Sequence, residues 1–340
     1  MTKRWKNRPE GSNWGEFGDD DQLGRLNLLT PEKVMEAIAE VKAGKVFSLS
    51  LPLNLPGGNV LNPSRHPPRL TATTRSDGKP IYLHSFQHDH HTTDLVCDDM
   101  VTLCLQYSTQ WDALSHVGSH FDADGDGRNE PVFYNGFRPD TDFSHPSQTT
   151  DGSSKAHRLG IENMARSGVQ GRAVLLDFRR HFGDARRPVN YEDLMYVIDH
   201  DNIDVRPGDM LCLHTGYADV LVSMAGNPDA DKLAESCAVL DGSDSKLRDW
   251  ITDSNIAALI ADNYAVEHRP YDFHGDGCSA LLPLHELCLF KLGIHLGELW
   301  YLTELADWLH TNSRHAFMLT APPLYLPGAV GSPLNPIATV

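Results

Sequence analysis

Apolar and polar positions alternate along this chain in two rhythms, one with the period of helices and one with that of strands. Thr30-Pro31-Glu32 opens a helix with a capping hydroxyl, a proline at the first helical position and an acid in the first turn. Val34, Ile38 and Val41 follow at helical spacing, and Gly44 ends the segment. Phe47-Ser48-Leu49-Ser50-Leu51 alternates with period two and predicts a half-buried strand before Pro52. Further strands are predicted at Met100–Leu105, Ala173–Asp177, Met210–Leu213 and Ile256–Ala261, and helices at 191–199, 244–252, 284–292 and 303–310. Pro207-Gly208-Asp209 marks a turn before one of these strands. Residues 54–95, rich in Pro, Gly, Asn and His, show little periodicity and predict a long functional or poorly ordered loop. The mixture predicts one α/β domain with a mixed sheet, residues 46–340, and an extension at 1–45 anchored on it by Trp5 and Trp14.

Composition narrows the function class. The chain has 340 residues, 40% hydrophobic and 22% charged, which is ordinary for a globular protein. No apolar run is long enough to span a bilayer, and the polar start MTKRWKNRPEGSNWG lacks a secretory h-region, so a cytoplasmic protein without membrane partners is expected. A formal net charge of -17 argues against nucleic acid as a partner. Cys97, Cys104, Cys212, Cys237, Cys278 and Cys288 form no close pair, so they read as reduced thiols rather than structural zinc ligands. Eighteen histidines are the more informative feature, because imidazole is the commonest metal ligand and titrates nearest neutral pH.

Common catalytic signatures are missing: there is no GxSxG elbow, no GxGxxG fingerprint, no GxxxxGK[ST] phosphate loop, and His285-Glu286 does not extend to HExxH. The chemistry concentrates instead in residues 106–122, where Gln106, Gln110, Asp112, His116, His120 and Asp122 combine amides, imidazoles and carboxylates. This stretch resembles the HxGTHxDAPxH hallmark of the metal-dependent cyclase-like hydrolases, the family of bacterial kynurenine formamidase and isatin hydrolase. Two registers fit. One matches Ser108–His116 to GTHxDAPxH, giving Asp112 the role of metal aspartate and His116 that of the final histidine. Gln106 and Gln110 then replace the two leading histidines. The other matches His116, His120 and Asp122 to the opening of the pattern, with Asp124 in place of proline and Asp126 in place of the last histidine. The first is preferred because it leaves Phe133-Tyr134-Asn135-Gly136 where longer members carry a Tyr-Asn-Gly turn.

The resemblance covers nearly the whole chain. Asn13-Trp14-Gly15, Gly18–Gly24 and Leu26–Pro31 look like the opening of the longer subgroup, and Leu326–Pro333 looks like its close. The family also pairs a histidine with a later glutamate across a Gly-Ile turn, matched here by His285 and Glu298 around Gly293-Ile294. The resemblance implies a swivelling β/β/α cyclase-like fold in a homodimer or homotetramer. It also implies a divalent metal at Gln110, Asp112, His116, His285 and Glu298, with His116 moving protons. The oxygen-rich set points to Mn2+ or Zn2+. The expected activity is hydrolysis of an amide or lactone bond in a small cyclic or aromatic substrate. A non-catalytic metal or ligand binder and a metal-dependent lyase are the alternatives.

Trp111, Tyr82 and Phe86 are expected to wall the substrate ring, with Gln106 nearby. His84, His88, His90 and His91 read as a surface segment that, if functional, lines the substrate entrance. Asp122-x-Asp124-x-Asp126-Gly127 resembles the start of a calcium loop, but position twelve is Phe133 rather than an acid, so a separate structural Ca2+ there would rest on the first aspartates and Glu130.

Overall fold

A computed structural model of the chain describes residues 3–87, 92–268 and 280–340. Its frame is a nine-stranded sheet built from β1 (Val46–Ser48), β2 (Gln110–Asp112), β3 (Gln170–Asp177), β4 (Met210–His214), β5 (Ala258–Ala261), β6 (His295–Glu298), β7 (Ala316–Thr320), β8 (Gly331–Pro333) and β9 (Ile337–Thr339). Across the sheet the order is β1-β9-β7-β3-β4-β5-β6-β2-β8. The four central strands, β3 to β6, run parallel. Antiparallel strands flank them on both sides. Strands β3, β4 and β5 are apolar on both faces, as parallel strands covered from two sides must be.

Helices supply that cover. Among them are α1 (Pro31–Ala39), α2 (Phe178–Phe182), α3 (Tyr191–His200), α4 (Ser245–Asp253) and α5 (Thr303–Thr311). The Thr30 side chain accepts from the Lys33 amide at the start of α1, as its sequence predicts. Asn190 and Asp244 cap α3 and α4 in the same way. One apolar cluster joins Leu194, Val197, Leu247 and Ile251 to one face of the sheet; another joins Leu305 and Leu309 to the opposite face with Trp111, Trp300 and Phe317. The fold is thus the mixed α/β type expected.

The segment containing Trp5, Trp14 and Arg25 is tied down. Trp5 and Trp14 are buried, and the Trp14 indole donates to the Phe290 carbonyl at 2.8 Å. Arg25 donates to the carbonyls of Ile251 and Thr252 at the end of α4.

Three expectations change. Residues 54–95 are not structureless: Arg69–Ala72 pairs with Asp99–Thr102, and His84–Ser85 with Leu95–Val96, while residues 88–91 lie outside the described residues. The strand expected at Met100–Leu105 is therefore Asp99–Thr102, exposed and outside the main sheet. The helix expected at 284–292 begins as one turn, Pro283–His285, and continues as a π-helix over Glu286–Leu292.

Candidate metal centre

Strand β2 carries the motif itself. Side chains alternate along a strand, so Gln110 and Asp112 share one face and Trp111 takes the other. All three are fully buried. β6 lies antiparallel to β2, with Glu298 opposite Gln110. Residues directly opposite share a face, so Glu298 joins Gln110 and Asp112. The Gln110 amide nitrogen donates to Asp112 Oδ1 and to Glu298 Oε2, each at 3.2 Å. His285 enters from the turn ahead of the π-helix, its Nε2 3.3 Å from Glu298 Oε1. One ligand atom each from Asp112, His285 and Glu298 lies within 4.8 Å of the others.

A carboxylate that sequence reasoning did not find holds this histidine in place. Glu267 is fully buried and accepts from His285 Nδ1 at 2.8 Å, from the His285 backbone amide and from the Leu284 amide, both at 2.9 Å. Carboxylate–histidine pairs of this kind orient an imidazole so that Nε2 is free to bind a metal. The residue lies 18 positions before its histidine, beside no recognisable motif, and nothing in the sequence marks it.

The electrostatics follow from burial. Burial opposes a charged imidazole at His285, but the hydrogen bonds and charges of Glu267 and Glu298 override it and hold its pKa up to about 10. Burial pushes Asp112 above the usual carboxylate range, offset in part by His116 and reinforced by Glu298. Burial also acts against ionised Glu298, yet the bond to His285 and the charges of His285, Arg65 and His116 bring it below the usual range. The centre is thus a buried group of carboxylates facing His285, with His116 and Arg65 acting from its edge.

Two buried acceptors there, Asp112 Oδ2 and Gln110 Oε1, have no hydrogen-bond partner among the described residues. Native proteins seldom leave such atoms unpaired, and a divalent cation would satisfy Asp112 Oδ2. Asp112, His285 and Glu298, with the Gln110 amide oxygen available on turning over, form an oxygen-rich set that suits Mn2+ or Zn2+. His116 stands at the edge. Its Nε2 is 3.9 Å from Asp112 Oδ1, its side chain is 22% exposed, and it lies outside the group of mutually close ligand atoms.

Gln106 reaches the same face by another route. Gly331 of β8 pairs with Asp112, and a Cβ at Gly331 would lie 2.4 Å from Gln106 Nε2. The glycine leaves room for the Gln106 amide beside Asp112, where its nitrogen is buried without a partner among the described residues. Arg65 donates to the Gln106 carbonyl at 2.8 Å, and its charge acts on both Asp112 and Glu298. Arg65, Gln106, Asn62 and Tyr264 line a small cavity. Leu61 and Tyr264 continue from it into a cavity of about 440 Å3 that Val60, Tyr217 and Glu267 also line.

Other expected site residues lie elsewhere. Trp111 cannot wall a substrate: it packs at 5.0 Å against Trp300 in the core, and its indole donates to the Ala321 carbonyl. Tyr82 is 56% exposed, and Phe86 packs edge-on against His84 of the strand His84–Ser85, so neither joins the Asp112 group. Tyr217 and Tyr264 are the aromatic side chains beside the larger cavity. His84 bonds to Arg75, while His88, His90 and His91 lie outside the described residues. His120 of the second register is exposed on the strand Ser119–Phe121. The carboxylates of Asp122, Asp124 and Asp126 come together in a surface turn whose backbone amides they accept. Glu130 is paired with Arg138 at 2.9 Å rather than turned to that group.

The family model named Cyclase matches residues 47–268. The chain belongs to the cyclase family. A crystal structure of a novel cyclase is 32% identical over 97% of each chain, with a TM-score of 0.75. Isatin hydrolase A from Ralstonia solanacearum shares the fold at 14% identity, covering 91% of this chain and 97% of that one, with a TM-score of 0.55. Isatin hydrolase A from Labrenzia aggregata, bound to benzyl benzoate, does so at 12% identity over 90% and 98%, also with a TM-score of 0.55. No protein of curated function matches the sequence. Among the described residues, no helix of this cyclase-family chain is long and apolar enough to cross a membrane.

Proposed function

We propose that this cyclase-family chain is a metal-dependent hydrolase that opens an amide or lactone bond in a small ring-containing substrate. The observation that carries the reading is the buried group of Asp112, His285 and Glu298, in which Asp112 keeps one carboxylate oxygen unpaired among the described residues. A divalent cation held there would lower the pKa of bound water toward roughly 7 and polarise a carbonyl.

The chain's own groups divide the remaining work. Glu267 fixes the His285 ring, so that Nε2 faces Glu298 rather than rotating away. His116, half a step from solvent, takes a proton near Asp112 and returns it to the departing amine or alkoxide. The Gln106 Nε2 donor and the Arg65 guanidinium favour negative charge developing on a carbonyl oxygen beside Asp112. The cavity of about 440 Å3, with Tyr217 and Tyr264 in its wall, is the size of a small-molecule site and accommodates the ring.

The test is a metal-loaded preparation assayed against isatin, aryl formamides and aromatic lactones in 18O-labelled water. The expected result is a ring-opened acid carrying the label or, from a formamide, labelled formate beside the free amine, with loss of turnover on chelation. Metal retained without turnover of any substrate would mark a binding protein. An unsaturated product without label would mark a lyase.

A further inference from the structure

A second group of ligand-type side chains lies outside the proposed catalytic centre. We propose that His181, His200 and Asp201 form a separate binding site for a zinc-class divalent cation. His181 Nε2 is 2.8 Å from Asp201 Oδ2, and His200 Nδ1 is 2.8 Å from Asp201 Oδ1. Each oxygen of one carboxylate thus faces a different imidazole nitrogen, and the three residues offer ligand atoms within 4.8 Å of one another. Two imidazoles and a carboxylate are a donor set for zinc, nickel or cobalt, whereas calcium and magnesium prefer oxygen alone.

The surrounding fold prepares the group. His181 comes from α2; His200 is the last residue of α3, and Asp201 caps that helix. The Tyr196 ring, one turn before His200, packs edge-on against His181 at 5.6 Å and tilted against His200 at 5.5 Å. Both imidazoles are therefore oriented by the same aromatic side chain. The C-terminal end of a ten-residue helix carries a partial negative charge that favours a cation. Burial is graded: the His181 and Asp201 side chains are 6% and 15% exposed, while His200 is 58% exposed and leaves an entry route for an ion. The bound ion would staple α2 to the end of α3.

The experiment is a zinc titration of chelator-treated protein with millimolar Ca2+ and Mg2+ present to fill oxygen-only sites. Two zinc ions per chain are expected, falling to one in H200A and in D201N, with at least tenfold weaker binding at the lost site. H200A alters an exposed side chain, and circular dichroism checks that each variant is folded. Cobalt substitution adds an independent readout, because the visible band of the His181 site should vanish in H200A and persist in D112N. Two zinc ions bound with wild-type affinity in both H200A and D201N would overturn the proposal. The reading of the catalytic centre is tested separately by D112N: it fails if D112N binds as many ions as the wild type, whatever H200A does.

Discussion

Replacing Glu267 with glutamine tests whether the buried carboxylate behind His285 tunes the metal centre. In the native protein it accepts three hydrogen bonds, from Leu284 N, His285 N and His285 Nδ1. A glutamine has one acceptor oxygen and an amide nitrogen, so at least one buried donor meets another donor, at about 1–3 kcal/mol. A drop of several degrees in melting temperature is expected. The metal readout is more specific. Losing the outer carboxylate weakens metal binding by about 10–100-fold, or about 1.4–2.7 kcal/mol. The pH dependence should change with it. His285 must shed a proton to ligate, and with its pKa held up to about 10 that proton competes with the ion throughout the neutral range. Affinity in the native protein should therefore rise about tenfold per pH unit between pH 7 and 9. In E267Q the histidine is less basic, so the rise is shallower and the deficit is largest at pH 9. Competitive titration with Mn2+ or Zn2+ at several pH values measures both effects. Superimposable curves for the two proteins, with E267Q folded, would refute the reasoning.

The same histidine governs the stability of the metal-free protein. Its folded pKa lies above the ordinary 6.5, so its stabilising contribution is complete below 6.5 and is lost as pH rises through about 10. At about 1.4 kcal/mol per pH unit this is on the order of several kcal/mol. Chelator-treated protein should melt markedly lower at pH 10 than at pH 6, and an unchanged melting temperature would count against the pairing. D112N should abolish the buried ion while D122N leaves it in place; the reverse result by metal analysis would restore the second register. H116A should lower kcat by about 10²–10⁴-fold with metal content unchanged, and metal loss instead would make His116 a ligand. G331A places a Cβ 2.4 Å from Gln106 Nε2 and 2.9 Å from the Trp111 carbonyl, so it should lower kcat by at least tenfold without releasing metal. Wild-type kinetics would remove Gln106 from the site.

Much of the frame was legible because local rules agreed with the final packing. Thr30-Pro31 caps and starts α1, and the apolar runs at 173–177 and 210–213 become central parallel strands. The Asp112 to His116 spacing was also readable, since both residues belong to one short stretch. Strand β2 was not: three residues, Gln-Trp-Asp, give too little alternation, and its polar members are buried because they line the centre. Missing that strand misplaced Trp111, because neighbours in sequence point to opposite faces once the backbone is extended. Glu267 was invisible for a different reason. Its role depends on accepting from a backbone turn and an imidazole that only tertiary structure brings near.

The strand order has a consequence for folding. β2 is held between β6 and β8, and β9 fills the place between β1 and β7, so the two margins of the sheet are completed by residues 331–339. Gln110 and Glu298, in contact across that seam, are 188 positions apart in the chain. Such distant pairings form late and slowly. Until the segments around residues 285–298 and 331–339 have joined the sheet, its margins stay open and Asp112 lacks its neighbours, so any ion the cage takes would be captured late in folding.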